Sequence, residues 1–300
     1  MIKVCFLLSY DYAFVKYSLP CVYPYADSIT FSIDRNRTSW SGNKYKFDES
    51  IIDWIKAYDT EQKIRIYEDD FYVPGKTAME NDTRQRNKTA EFMGNGGWHL
   101  QIDADEYFIN FKGFVDFLKS KNHYLKQAEK NKVVVAANWI NLIKFDKDGF
   151  FYVNEANATP VRVATNYPEY HEARLVLHRV IYTTFIMLHQ SYARDEAEIY
   201  FKFKNWGHSQ DFDTDAYFNF WKSINKDNYT SIRNFNPVAP HDNWKSLGYI
   251  PCQNVSELIV NFDQLNFSIP RWPIVKKNVI QFFLRNKLLF ALYHKIIFKK

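Results

Sequence analysis

The residues of this chain best suited to chemistry sit in one short run, Trp98–Phe108 (WHLQIDADEYF), where a single alanine separates Asp103 from Asp105. Two carboxylates at that spacing, at the end of a strand, can place oxygens near one hard divalent cation, directly or through water, and Mn2+ or Mg2+ suits such ligands. An ion held there would neutralise charge developing on a diphosphate leaving group. A bare D-x-D also occurs as a solvated acidic turn. Here it closes an apolar run and precedes Glu106 and the aromatic pair Tyr107–Phe108, a context that favours a site. Upstream, the polar stretch 82–87 carries Arg84, Arg86 and Asn87, and a guanidinium there can bridge phosphate or pair with Asp103.

The elements that must position these groups follow from local pattern. Ile2–Ser9 is a continuous apolar run, the signature of a strand covered on both faces. Tyr12–Tyr23 reads as a helix, Ser28–Ile33 as a strand ending at Asp34, Asp48–Tyr58 as a helix and Lys63–Tyr67 as a third strand. Thr77–Met93 reads as a polar helix closed by a glycine-rich turn, and Trp98–Ile102 as the strand that delivers Asp103. This alternation predicts an α/β fold with a mainly parallel, nucleotide-binding sheet flanked by helices. In such sheets ligands lie at the carboxyl ends of the strands, where Ser9, Tyr10, Asp34 and Asp103 fall. Further on, Phe114–Lys119 reads as a helix, Lys132–Ala137 as a strand, 138–178 as an irregular stretch able to hold strands that shape an acceptor site, and Asp213–Ser223 as a helix.

The block TRQRN followed by WHLQIDADEYF resembles family 2-type glycosyltransferases of the GT-A fold, in which an arginine-bearing polar helix precedes a strand ending in D-x-D. The resemblance spans roughly residues 1–225. It implies that Asp34 contacts the nucleoside, that Ser9 and Tyr10 line the base pocket, that Arg84 or Arg86, with Asn87 nearby, faces the nucleotide, and that Asp103 and Asp105 serve metal and diphosphate. The run Met187–Trp221 resembles the acceptor half of bacterial transferases of this type, which makes His208 the candidate for a histidine closing over the metal or diphosphate. A neutral imidazole is a reasonable third ligand for manganese. An inverting transferase needs a carboxylate base, for which Glu196 is the first candidate and Asp195 the second. Arg194 and Lys202 could meet phosphate or an anionic acceptor, and His189, ending an apolar run, could line the acceptor pocket.

The expected organisation is a catalytic domain over 1–262, with a nucleotide-sugar half at 1–110 and an acceptor half at 111–262, followed by a basic amphipathic tail over 263–300. That tail suits an anionic membrane surface or packing on the domain. The donor would be a nucleotide-diphosphate sugar and the acceptor a saccharide or lipid-linked sugar, as in bacterial surface polysaccharide or lipopolysaccharide synthesis. Three cysteines without a CxxC pair and an N-terminus unlike a signal peptide point to a cytoplasmic protein, peripheral on the membrane at most. The net charge of +5 is scattered or C-terminal and matches no nucleic-acid motif. Two other readings are a sugar-phosphate nucleotidyltransferase, which the glycine-free segment SYDYAFVKYS after the first strand disfavours, and a non-catalytic carbohydrate-binding protein on a transferase fold.

Overall fold

The computed structural model describes residues 1–154, 159–206, 208–238, 244–262 and 267–285. Residues 263–266 and 286–300 of the expected tail lie outside the described residues. The first half is the parallel α/β unit that the apolar runs predict. Strands β1 (Ile2–Leu8), β2 (Ser28–Asp34), β3 (Ile64–Asp69) and β4 (Trp98–Asp103) lie in the order β4-β1-β2-β3, every neighbouring pair parallel. Register places Leu7 of β1 beside Asp103 of β4, so the two strands end side by side. Helices α1 (Val15–Val22) and α2 (Ser50–Tyr58) bury apolar faces against this sheet.

Helix α3 (Ala78–Met93) is polar, yet Asn81, Asp82, Gln85, Arg86 and Thr89 are buried. Its start is fixed by a capping box in which Thr77 and Glu80 each accept the other's backbone N–H. Its end is held by Lys3, whose ammonium donates to the carbonyls of Met93, Gly94 and Asn95 at 3.0, 2.7 and 2.9 Å. A cation at the negative end of a helix dipole is favourable, and it locks α3 to β1. Between these anchors Gln85 and Thr89 hydrogen-bond Ser32 of β2, leaving Arg86 aimed at the end of β4.

The second half departs from the parallel pattern. Strand β5 (Glu106–Phe108) turns off β4 and pairs antiparallel with β9 (Arg179–His189). Helix α4 (Phe111–Ser120) follows it, capped by Asn110. Strand β6 (Val133–Asp146) runs well past the apolar run that announces it. It pairs antiparallel with β7 (Gly149–Val153) and β8 (Thr159–Thr165), and parallel with β9. Strand β8 joins the halves by pairing antiparallel with β4, and β10 (Leu247–Pro251) closes the far edge on β7. Among the described residues the sheet has ten strands and is mixed, parallel through its first four strands and largely antiparallel beyond them. The stretch 138–178 holds the end of β6 with β7 and β8, and its described residues from 166 on are irregular.

Helices α5 (Glu196–Asn205) and α6 (Thr214–Ser223) cover this half through an aromatic cluster that includes Tyr192, Phe203, Trp221, Phe235 and Trp244. Much of the chain's high aromatic content is thus core volume. The short α7 (Val255–Val260) and the terminal α8 (Arg271–Arg285) complete the fold. Among the described residues, no helix is long and apolar enough to cross a membrane.

His99 of β4 lies 1% exposed beneath α3, where burial, then the neighbouring Lys3 ammonium, push its pKa down to about 4. A histidine kept neutral by folding stabilises fully above its unfolded pKa of about 6.5, and that contribution is lost as pH falls towards 4. The loss of unfolding free energy between pH 7 and 4.5, measured by urea denaturation, should be smaller by roughly 2 kcal/mol in His99→Gln than in the unaltered chain. Equal losses would show that His99 protonates at no cost to the fold.

Candidate functional site

A cleft of about 370 Å³ opens at the carboxyl ends of β1 and β4. Its floor is Leu7–Asp11 and Asp103. One wall is α3 through Asp82, Gln85 and Arg86, and the other is Trp139, Asn141, His189 and Lys202. Register explains the second wall: β9 sets His189 opposite Glu106 of β5 and Asn141 of β6, so the antiparallel half delivers its side chains to the end of the parallel half.

The two aspartates of the D-x-D are both here, but each has its own cations. Asp103 receives Arg86 Nη2 at 3.0 Å on Oδ1 and Arg174 Nη2 at 2.5 Å on Oδ2. Arg86 also holds Asp82 at 2.7 Å. Arg174 donates to both oxygens of Glu106, at 3.0 and 2.7 Å. Glu106 accepts in addition the backbone N–H of Asp103 and the indole N–H of Trp139, both at 2.9 Å. Asp105, 2% exposed, is bound by Arg194 and by Lys202 at 3.1 Å, with His189 Nε2 at 3.7 Å. Five carboxylates (Asp11, Asp82, Asp103, Asp105 and Glu106) thus interleave with four cationic side chains.

Burial opposes ionisation of Asp103 and Asp105, yet Arg174 and Arg86 hold the first below the usual carboxylate range, and Lys202, His189 and Arg194 hold the second far below it. Glu106 is pushed by burial up to about 7, against the pull of Arg174. Burial also raises Asp11, with Arg194 opposing. His189, stacked on Trp139 at 4.7 Å, is held down by burial to about 4 and is neutral near pH 7.

Ser9, Tyr10, Arg86, Asp103, Asp105 and His208 all line this cleft. His208 sits at the rim with its Nδ1 2.6 Å from Asp211. It does not complete a ligand set with the two aspartates, since among the described residues no group of three or more His, Cys, Asp or Glu side chains is placed to hold a metal ion.

Five expected site residues lie elsewhere. Asp34 is a loop pin: Oδ1 accepts the N–H groups of Asn36 and Thr38, and Oδ2 those of Phe71 and Tyr72. Arg84 donates to the carbonyls of Asp70 and Phe71. Asn87 holds Tyr170 through both its backbone groups. Asp195 caps α5 by accepting the N–H of Glu198, and Glu196 is an exposed partner of Lys222. Neither of the last two, the expected bases, lines the cleft.

Arg174, Trp139 and Asp11 were not foreseen. Arg174 lies in an irregular segment with no local signal, and its partners are 68 and 71 residues away. Arg194 and Lys202, expected to meet phosphate or an anionic acceptor, both bind Asp105 directly, and Lys202 also lines the cleft.

A divalent cation fits only part of this donor set. Asp105 is buried and spent on two cations. Asp103 is the carboxylate that keeps exposure to the cleft, 26% of its side chain. Mg2+ and Mn2+ commonly take one or two carboxylates and complete their shells with water and substrate phosphate. An ion here would use Asp103 in that way, with one guanidinium contact yielding to it.

No family model matches this chain, and a search of curated proteins finds no match either.

The network makes a stability prediction. Asp105→Asn leaves Arg194 and Lys202 buried without their carboxylate and should cost roughly 3–5 kcal/mol. Glu196→Gln, at an exposed pair, should change stability by less than about 0.5 kcal/mol. Urea denaturation of both variants checks this, and similar values for the two would refute the buried network as drawn.

Proposed function

We propose that the chain is a GT-A-type glycosyltransferase that uses a nucleotide-diphosphate sugar and a saccharide or lipid-linked acceptor. The observation that carries this reading is Asp103, part-exposed at the ends of β1 and β4 and shared by two buried guanidiniums that face the same cleft. Arg86 and Arg174 are rigid forks suited to the oxygens of a diphosphate, which compete for them as anionic partners of the same kind as Asp103. Their positions are fixed from behind by Asp82 and Glu106, so little ordering remains to be done when a ligand arrives.

A divalent ion bound at Asp103 would supply neutralisation of the diphosphate charge. The protein's own groups do the rest. Tyr10 and the wall around Trp40 line the end where a nucleoside can enter, and Trp139 and Trp244 add aromatic edges to the lining. Of the carboxylates facing the cleft, Asp82, Asp103 and Asp105 are bound closely to cations. Asp11 meets Arg194 only at 3.5 Å, and burial raises its pKa, the direction that suits proton acceptance. Asp11 is therefore the group we assign to take the acceptor's proton, in place of Glu196 and Asp195.

Titration calorimetry with UDP, GDP and related nucleoside diphosphates tests the reading. Freeing Asp103 for an ion and freeing guanidiniums for phosphate are the same event, so Mn2+ should tighten binding by roughly ten-fold or more, a coupling of over about 1.4 kcal/mol. Asp103→Asn should remove that enhancement. If no nucleoside diphosphate binds, with or without metal, the transferase reading fails.

A further inference from the structure

Helix α8 is oriented the opposite way from an ordinary surface helix. It packs on β9, and the residues it turns inward are Ile274, Asn278 and Gln281. Asn278 accepts the backbone N–H of Tyr182 and donates to its carbonyl, both at 2.9 Å, and Gln281 accepts the N–H of Val180 at 3.3 Å. The reason lies in the sheet. Strand β9 pairs with β6 along one edge at 179–182, while β5 reaches its other edge only at 187–189. The start of β9 is thus an edge strand with unpaired backbone groups, which proteins must cover or blunt. Helix α8 covers it with amide side chains.

A helix that spends its polar residues inward presents its apolar ones outward. Trp272, Val275, Val279, Phe282 and Phe283 are 75, 48, 47, 52 and 37% exposed. At 100° per residue they fall within an arc of about 100°, one continuous stripe along a helix roughly 22 Å long. Exposed Arg271 and Lys276 flank the stripe. From Arg271 to the end of the chain there are eight Lys or Arg and no Asp or Glu. An apolar stripe with aromatic residues, basic flanks and no acid is complementary to an anionic bilayer surface: the rings enter the acyl boundary and the cations meet lipid phosphates.

We infer that α8 is the membrane-docking element of this protein, lying in the plane of an anionic lipid surface with Trp272, Val275, Val279 and Phe282 inserted. Strand β9 carries this helix near Tyr182 and the cleft residue His189 seven residues on, about 23 Å away by strand rise. The docking face and the cleft are therefore separate features of one strand.

Sedimentation of the full chain with vesicles tests this. The chain should bind vesicles of phosphatidylcholine and phosphatidylglycerol, weakly bind pure phosphatidylcholine vesicles, and lose anionic binding as salt rises. Val275→Glu with Val279→Glu should weaken binding by roughly ten-fold or more, and Lys276→Glu with Lys277→Glu should do so on anionic vesicles only. A circular dichroism melt confirms that each variant is folded. Three results would overturn the inference: no binding of the full chain to anionic vesicles, binding indifferent to the stripe substitutions, or a dimer in light scattering that the stripe substitutions convert to monomer, which would make α8 a contact between copies.

Discussion

Asp103 ties together the charged ends of two parts of the chain, α3 and the segment before β9, whose backbones also meet where Asn87 holds Tyr170. Arg86 reaches it from α3, whose ends are fixed by the capping box at Thr77 and by the ammonium of Lys3. Arg174 reaches it from the segment between β8 and β9, and is itself held by Glu106 on β5. Removing the carboxylate would leave two guanidiniums buried around a void, an expensive arrangement. The site therefore stores its specificity in desolvated charge. Its cations are paired internally at rest, and an anionic ligand must offer them something equivalent to bind.

This explains why α3 looks unpromising as a core helix and is buried nonetheless. Its polar face is a charge-bearing wall, satisfied by Ser32, Trp40 and Asp103 rather than by apolar packing. The same logic, inverted, governs α8, where polar side chains are drawn inward by the open edge of β9 and apolar ones are left outside. In both helices the backbone hydrogen bonds and charges of the neighbouring element decide which face turns in.

The parallel half of the fold was legible in the sequence because β1 and β2 are mostly apolar runs that end at polar residues, and because the glycine-rich turn after Met93 marks the end of a helix. The D-x-D was legible for the same reason, as an acidic interruption of such a run. What lay beyond reach depended on contacts distant in sequence. Asp34 looks like a ligand residue at a strand end. Only the position of Phe71 and Tyr72, more than thirty residues on, makes it a backbone pin. Glu196 is a plausible base by residue type alone, and the helix phase of α5 turns it to Lys222. Arg174 carries no local mark. Strand β7 shows no alternation because four of its five residues are buried, and the alternation of β8 at Val161–Val163 is short and interrupted by a register shift against β6.

The most direct test of the charge-exchange picture is a crystal structure of the chain with a nucleoside diphosphate and Mn2+. The account predicts phosphate oxygens within hydrogen-bond distance of Arg86 or Arg174, the ion on Asp103, and Asp105 still bound to Arg194 and Lys202. A diphosphate seated away from both guanidiniums, with Asp103 keeping its present partners, would contradict it.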